Sequence, residues 1–497
     1  MNIRMVEPKL FMDGYTDAVR SEHYSTFTLH AMMACALRLD KDESVRSLSG
    51  IFAERAKKEV ARELESPNMS TIHGLCLLSD YECTNGSENV GWIYVGIYIL
   101  LTLGAFLTGS GIACRLLLDL GLHQDCAHRA HTDRSSPVDI VARQRITFGC
   151  YVYEQVWSLL LGLPSSINVL NLDFSLLPSD YSDCQIQLLA AWVDLSSLMA
   201  EMVALFSRSK SDHETTRKQL KCLDEAFQIL ETSFRSRWTE EDQMSWPPSI
   251  CALYMQFYNA QILYHKTITA NRRRFWPDRD SEDTNDLPPY TLEMSQRIMY
   301  DNAVKIAQIL ELRRRAFEER GFALLMLDII FTATSTLITS MASFQGDQSS
   351  ALKDYKWLIC FIEACESLKD HYPVVNRMVT VLNSLLESTG LIRFIWRGTP
   401  TVPAISNPLV TIPPSSDSAS TGPDRQGRRA VPFNLKRWCQ DDDPVAASAS
   451  WCQQSHAHAR DATLNMSEAQ VESPTFGSLA GDAVYRWDHL GILSPWG

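Results

Sequence analysis

The 497 residues are 45% hydrophobic and 21% charged, with a formal net charge of −13 at pH 7. This hydrophobic content excludes a chain that is disordered throughout. The length suffices for one large core or two ordinary ones, because single cores stop growing near about 250–300 residues. The negative charge repels polyphosphate and argues against a chain whose whole surface binds nucleic acid. Contact with DNA would therefore need a local basic patch or a separate segment.

The 13 cysteines are scattered, and no two of them stand in C-x-x-C spacing. This usage is typical of reduced, buried thiols in an intracellular protein. Residues 1–17 contain lysine and acidic residues without an apolar run, so no secretory signal is predicted. We expect the protein in the cytosol or nucleus.

Helical periodicity dominates from about Ser25 to Arg397, because apolar residues recur at spacings of three and four and strict alternation is rare. After Pro67, Ser70 is the predicted N-cap of a helix. The predicted inner face of that helix is Ile72, Leu75 and Cys76. The pattern predicts an all-α domain of ten or more helices.

A long amphipathic helix is predicted from Val141 to Leu161, ending before Gly162-Leu163-Pro164. Its predicted inner face consists of Ile146, Tyr153, Val156, Trp157 and Leu160. Further helices are predicted at 186–207, 214–236, 249–271, 292–318, 321–343, 351–370 and 373–389.

Two stretches interrupt this helical pattern. Residues 274–289 are charged and contain proline, which predicts a loop. Residues 397–497 are rich in Pro, Ser, Ala and Asp and have little apolar periodicity, which predicts a largely disordered Pro/Ser-rich tail.

Residues 89–114 contain no charged side chain and have the length and hydropathy of a membrane span. No basic cluster marks a cytoplasmic side, however, since Glu82 and Glu88 precede the segment. Arg115 and Asp119 follow it within an amphipathic helix. We therefore predict that the protein has no membrane partner.

A tryptophan-containing segment is the first of three motifs that occur in order along the chain. Its members are Gly91, Trp92, Tyr94 and Gly96, followed by Arg115, Gly121, His123 and Asp125. Gly121 suits the end of a helix, where a left-handed backbone is required. Trp92 and Tyr94 are expected to fill core.

The second motif is basic and then aromatic, and the third is a polar and aromatic helix. The second contains Arg143, Arg145 and Tyr151, followed by Gly162 and Pro164. The third covers residues 253–266, with the sequence LYMQFYNAQILYHK.

Together the three motifs resemble the middle homology region of fungal zinc binuclear-cluster, Zn(II)2Cys6, transcription factors, the fungal-specific transcription factor domain. The resemblance spans about residues 25–390 and implies an all-α regulatory domain. We interpret the motif residues as structural before any role in ligand contact. Leu163 stands where an arginine is common and Glu154 where an aspartate is usual, so polar contacts of relatives at these positions are not carried over.

Relatives carry an N-terminal six-cysteine zinc cluster, and its spacing occurs nowhere in this sequence. Zinc is thus implied only for that module of relatives. The chain is expected to begin late, with residues 1–24 as a truncated lead-in and 25–396 as the helical domain. Residues 97–111 interrupt the first motif, and their removal restores GWIYVGIACRLLLDLGLHQD. We hypothesise a retained in-frame intron or an insertion there.

No phosphate-loop, zinc-protease or serine-hydrolase motif occurs in the sequence. The donors Asp125, Cys126, His128 and His131 have the spacing of no familiar metal site and are interpreted as a solvated loop. We predict no catalytic, cofactor-binding or metal-binding residue, and hence no enzyme.

The resemblance implies a nuclear regulator of RNA polymerase II genes, with an effector-responsive helical region and a metabolic or secondary-metabolite gene set. The implied partners are DNA, through an N-terminal module or a dimer partner, transcriptional coactivators, a small-molecule effector and a second copy in a homodimer. A basic group in the tail could serve as a nuclear import signal: Arg428, Arg429, Lys436 and Arg437. Two alternatives stay open, a partner-dependent regulator that dimerises with a full-length relative and an all-α enzyme, which the missing catalytic constellation disfavours.

Overall fold

Helices supply all of the regular secondary structure in the part of the chain that this computed structural model describes, which confirms the all-α prediction there. That part comprises residues 7–86, 112–122, 137–161, 184–207, 213–239, 246–275, 291–316, 324–343 and 348–391. The first seven helices are α1 (Pro8–Asp17), α2 (Thr26–Leu37), α3 (Glu43–Arg46), α4 (Leu48–Glu65), α5 (Met69–Thr84), α6 (Ile112–Asp119) and α7 (Pro137–Leu161).

Apart from short α11, which was not predicted, the later helices of the described part agree with the predicted ones to within three residues at each end. They are α8 (Cys184–Ser207), α9 (His213–Arg237), α10 (Pro248–Ala270), α11 (Arg272–Phe275), α12 (Leu292–Ala316), α13 (Leu324–Ser343), α14 (Gln348–Leu368) and α15 (Val374–Ser388). Short α11 occupies the start of the predicted 274–289 loop, and the remainder of that loop and the 397–497 tail lie outside the described residues.

A first core forms between α2, α4, α5, α6 and α7. It contains the predicted inner face of α5, since Ile72, Leu75 and Cys76 are all buried. Its other large members are Phe27, Met69, Leu117, Leu122, Ile146, Tyr153 and Trp157. The apolar spacing of three and four in these helices places their side chains on one face, and burial of that face stabilises the packing.

A second, larger core is built from α8 to α15, with α10 at its centre. Helix α7 contributes to both cores, because Ile146 and Cys150 point into the first while Phe148 and Val152 belong to the second. A helix that is apolar on two faces is buried on both sides. Helix α7 therefore packs against both cores and connects them.

The N-terminus of α5 corrects one prediction. The N-cap is Asn68, whose side chain accepts from the Thr71 backbone N–H at 3.1 Å, while the Thr71 hydroxyl contacts the Asn68 backbone N–H. This reciprocal capping box satisfies two of the free N–H groups of the first turn. Ser70 lies inside the helix instead, where its hydroxyl is 2.7 Å from the Thr28 hydroxyl.

Helix α1 lies within the segment interpreted as a lead-in, and its helical state was not predicted. Phe11 is buried against Tyr24, with ring centroids 5.3 Å apart in an edge-on arrangement. The Ala18 backbone adopts a left-handed conformation with φ of 52° as the chain leaves the helix. Aromatic packing thus anchors this segment to the residue that precedes the cap of α2.

Among the helices that the structure describes, two are long and apolar enough to cross a membrane, α8 and Met326–Ser343 within α13. In each of them 72% of the apolar window is buried inside the protein. Core helices pass the same length and hydropathy test, so these helices are accounted for by the second core. Most of the uncharged 89–114 segment lies outside the described residues.

Candidate functional site

The structure describes five of the predicted motif residues. They are Arg115, Gly121, Arg143, Arg145 and Tyr151. The others fall outside the described ranges, and so does the predicted import signal: Gly91, Trp92, Tyr94, Gly96, His123, Asp125, Gly162, Pro164, Arg428, Arg429, Lys436 and Arg437. Arg115 lies on α6 and Gly121 at its end, and the remaining three residues lie on α7. The first two motifs therefore meet in space.

Gly121 ends α6 with a left-handed backbone, φ 64°, as its sequence context predicts. The Leu122 N–H donates to the Leu117 carbonyl at 3.0 Å, and the Gly121 N–H donates to the Leu118 carbonyl at 3.0 Å. This pair of bonds is a Schellman motif, in which a residue with a Cβ would be strained at the glycine position. The flanking side chains of Leu117 and Leu122 are both buried in the first core.

Thr147 connects this helix end to the second motif. Its hydroxyl lies 3.0 Å from the Leu122 carbonyl and 2.9 Å from the Arg143 carbonyl of its own helix. The hydroxyl carries one proton, so the two carbonyls share the donor. The end of α6 is thereby fixed against the middle of α7.

The basic residues of α7 receive the N-terminal segment of the chain. Arg145 Nη1 donates to Glu7 Oε2 at 2.6 Å, and the arginine side chain is only 13% exposed. His23 Nε2 lies 3.2 Å from Asp139 Oδ1, which is in the first turn of α7. Partial burial strengthens the arginine pair relative to a fully solvated one. The α7 motif therefore holds the residue that immediately precedes α1.

Tyr151 faces the second core, where it is fully buried. Its hydroxyl is 3.3 Å from Ser197 Oγ on α8, and burial raises the pKa of the phenol to about 12. The neighbouring Tyr153 faces the first core and donates to Asp80 Oδ1 at 2.6 Å. Burial raises the pKa of Asp80. The aromatic part of the motif thus contacts both cores, with the Tyr151 hydroxyl bonded on the side of α8 and the Tyr153 hydroxyl on the side of α5.

Glu154, one of the two positions that depart from the family pattern, is buried beside thiols. The Cys114 thiol hydrogen-bonds to Glu154, and the Cys150 thiol hydrogen-bonds to Cys76. Burial is the main cause that raises the pKa of Cys114, and the neighbouring Cys76 is the main cause for Cys150. The thiols stay protonated and unreactive, since thiolates are the nucleophilic form.

The prediction of buried, reduced thiols is confirmed for most of the described cysteines. Those that are free and buried are Cys76, Cys83, Cys114, Cys150, Cys251, Cys360 and Cys365. Cys184 and Cys222 are free but exposed, because each lies on the solvent side of its helix. Over the described ranges, no three His, Cys, Asp or Glu side chains are grouped so as to hold a metal ion.

The third motif forms the centre of α10, which is buried along most of its length. Burial lowers the pKa of His265 to about 4 and that of Lys266 to about 8, although Asp328 acts in the opposite direction on the lysine. His265 is therefore neutral near pH 7. The polar residues Gln256 and Asn259 are each 1% exposed on the same helix.

Among the buried polar atoms of α8 and α10 are four that have no hydrogen-bond partner among the described residues. We call them the α8–α10 polar set: Trp192 Nε1, Ser196 Oγ, Gln256 Oε1 and Asn259 Oδ1. The two helices meet where Gln256 Nε2 lies 3.3 Å from Met199 Sδ. An unpaired buried polar group costs about 1–3 kcal/mol, so four of them are a substantial cost for a core. The third motif pointed to Gln256 and Asn259, whereas no sequence signal singled out the two residues on α8.

Polar contacts also join α15 and the turn before it to residues that follow α2 and α5. Arg38 lies 4.1 Å over the Tyr81 ring and donates to Asn85 Oδ1 at 2.6 Å. The backbone carbonyl of Arg38 accepts from His371 Nδ1 at 3.0 Å. Arg377 donates to the Gly86 carbonyl at 3.0 Å. The turn before α15 thus contacts the end of α2, and α15 itself contacts the region after α5, although both are far away in sequence.

A comparison with protein families matches residues 3–259 to the family described as "Fungal specific transcription factor domain". The chain is 30% identical over 146 residues to an uncharacterized transcriptional regulatory protein of Schizosaccharomyces pombe, covering 29% of this chain and 21% of that protein. It is 28% identical over 196 residues to the nitrogen assimilation transcription factor nirA of Emericella nidulans, covering 35% of this chain and 20% of that protein.

A third relative is the nitrogen assimilation transcription factor nit-4 of Neurospora crassa, 28% identical over 149 residues, covering 28% of this chain and 12% of that protein. The chain thus spans about a fifth or less of the length of these relatives. No solved structure matches the chain with statistical significance.

Proposed function

The chain belongs to the fungal specific transcription factor domain family, and from that premise we propose that it is the regulatory region of a nuclear regulator of RNA polymerase II genes. The observation that carries the proposal is the family match over residues 3–259, which runs from the start of α1 into α10. That stretch contains the complete first core and the helix α7 that joins it to the second.

The contacts of α7 support a role in transmitting a signal along the chain. One end of the route is Arg145, which holds Glu7 at the entrance to α1. The other is Tyr151, which contacts Ser197 in the second core. A change in packing around α8 could therefore reach the N-terminal segment through a single helix. DNA would be contacted by a zinc-cluster module of the kind that relatives carry, or by a dimer partner.

The proposed mechanism is a shift of population between two helical packings. A small-molecule effector that binds one packing more tightly would favour it, and the shift would alter the availability of the 398–497 tail to coactivators. The basic residues Arg428, Arg429, Lys436 and Arg437 are proposed as the import signal that brings the protein to the nucleus. Two of the relatives are named as nitrogen assimilation factors, which favours a metabolic gene set.

A tethered-reporter assay tests this function. The full chain is fused to a heterologous DNA-binding module, and transcription from a matching promoter is compared with that given by the module alone. We expect activation by the full chain and its loss when residues 398–497 are deleted. The control is a fusion in which that tail is replaced by a Gly/Ser linker of equal length. Activation that survives the deletion would refute the role of the tail, and a full chain that leaves transcription unchanged would refute the regulatory function.

A partner-dependent regulator is the second candidate function. The 497 residues contain no two cysteines in the C-x-x-C spacing of a zinc cluster, so this stretch of the chain supplies no such cluster itself. In this version the chain reaches DNA only by dimerising with a full-length relative. Co-purification of tagged and untagged copies of the chain, with and without such a relative, separates a homodimer from a mixed dimer.

A further inference from the structure

We propose that the α8–α10 polar set is a binding site for a small uncharged molecule that carries both an N–H donor and a carbonyl acceptor. The proposal rests on the proposed function, because it assigns the effector site of the regulatory region. Four polar atoms of the set are buried and have no protein partner among the described residues. Buried polar groups are almost always hydrogen-bonded, so such a set indicates that a further molecule completes it.

The α8 members lie on a single face of their helix. Trp192, Ser196 and Met199 follow one another at spacings of four and three, which places their side chains one above the other. Trp192 is 1% exposed, and Ser196 and Met199 are 0% exposed. Trp192 offers an N–H donor, and the Ser196 hydroxyl can donate or accept.

The α10 members are placed opposite this face. Gln256 and Asn259 are three residues apart on one side of α10, and the Gln256 amide reaches Met199 on α8. Their unpaired atoms are both carbonyl oxygens, which accept hydrogen bonds. A ligand between the helices would thus meet donors on one wall and acceptors on the other.

The chemistry of the set selects an uncharged ligand. None of its members is ionisable, so a carboxylate or an ammonium group would be buried without a counter-charge. A molecule with an amide-like edge can accept from Trp192 and donate to Gln256 or Asn259 at the same time. The favoured class is therefore small neutral amides, lactams and ureas.

Met199 is the side chain that such a ligand would displace from the Gln256 amide. Its thioether lies 3.3 Å from Gln256 Nε2 and accepts from that amide, and sulfur is a weak acceptor. The unbranched side chain has three rotatable bonds and can move aside at low cost. A ligand carbonyl would then replace the sulfur with a stronger acceptor.

The test uses 2-piperidone, a neutral lactam with one N–H and one carbonyl, and the full chain labelled with 5-fluorotryptophan. The fluorine resonance of Trp192 is assigned from its absence in the Trp192→Phe variant. We expect a saturable change of that resonance on titration with 2-piperidone. 1-Methyl-2-piperidone, which lacks the N–H, and sodium valerate, which is charged, should bind at least tenfold more weakly. An unsaturable response to 2-piperidone, or equal binding of all three compounds, would overturn the proposal.

Two variants distinguish a binding site from a structural network. Gln256→Met with Asn259→Leu removes the unpaired acceptors, so the melting temperature should rise by about 2–5 °C while lactam binding is lost. The matched control is Asn302→Leu, since Asn302 is equally buried but donates to Gln261 at 2.8 Å. That control should melt at a lower temperature and still bind the lactam. A lower melting temperature in the double variant would mean that its polar groups are already paired, which contradicts the proposal.

The outcome is independent of the tethered-reporter assay. That assay uses the unaltered chain without added lactam and reports on transcription alone. Activation without lactam binding would overturn the site and leave the regulatory function standing. Lactam binding without activation would overturn the regulatory function and leave the binding site standing.

Discussion

Replacing Gly74 by alanine should destabilise the first core, although alanine is the better helix former. A Cβ at Gly74 would overlap Cε1 of Phe27, and it would lie 2.7 Å from Cδ1 of the same ring and 3.1 Å from the Thr28 hydroxyl. Distances below 3.0 Å require something to move, and the Phe27 ring is 0% exposed, so it cannot turn out into solvent. Helix α2 must therefore separate from α5.

The net effect follows from two opposing terms. The gain in helix propensity from glycine to alanine is about 1 kcal/mol, whereas overpacking of a filled core costs about 1–3 kcal/mol, with more when a helix must shift. We expect Gly74→Ala to lower the free energy of unfolding by about 1–2 kcal/mol. Gly50→Ala is the matched control, because its Cβ would meet only the Tyr81 hydroxyl at 3.8 Å. That variant should gain about 0.5–1 kcal/mol.

Urea unfolding of the full chain, followed by far-ultraviolet circular dichroism, measures both variants under the same conditions. The midpoint of Gly74→Ala should fall and that of Gly50→Ala should rise. If Gly74→Ala were as stable as Gly50→Ala, the close approach of α2 and α5 would be wrong, and with it the packing of the first core.

Three further predictions concern polar contacts. Single and double replacement of Glu7 and Arg145 by alanine should give a coupling energy of about 0.5–1 kcal/mol in a double-mutant cycle, because the pair is partly buried. Asn68→Ala should cost about 1 kcal/mol in urea unfolding, since it removes the N-cap of α5. Burial raises the pKa of Asp224 from 3.8 to about 6, so the folded state binds this proton more tightly and stability falls as pH rises between those values. Asp224→Asn should abolish about 1 kcal/mol of that fall, after allowance for solvent screening at a partly exposed site.

Each of these predictions can fail in a distinct way. Zero coupling between Glu7 and Arg145 would mean that the N-terminal segment is not held by α7. An Asn68→Ala variant as stable as the parent would place the cap elsewhere, and Asn68→Asp, which keeps an acceptor, serves as the control. A pH profile of Asp224→Asn that is parallel to the parent profile between pH 4 and 6 would assign the titration to another group.

Local rules predicted the parts of the fold that depend on neighbours in sequence. Helix periodicity gave the long helices, and Gly121 was expected at a helix end because only glycine adopts its left-handed backbone without strain. The cap of α5 was missed by two residues, since Asn68 and Ser70 are both good N-cap types and a sequence alone does not rank them. Helix α1 was missed because its stability comes from contacts of Phe11 and Glu7 with residues outside the helix.

The candidate site was predictable only where a motif covered it. Gln256 and Asn259 are in the third motif, so the sequence drew attention to that turn of α10. Trp192 and Ser196 carry no such signal, because a tryptophan and a serine on an apolar helix are ordinary core residues until their partners are known. Which polar atoms remain unpaired is a property of tertiary packing, and it cannot be derived from spacing along one helix.

The central claim is that this chain regulates transcription at promoters, and chromatin immunoprecipitation of the epitope-tagged, full-length protein in the cells that express it tests that claim most directly. The account predicts enrichment of promoter DNA over an untagged control, whether the chain binds through its own module or through a dimer partner. Nuclear protein with no enriched promoter in any growth condition would contradict it.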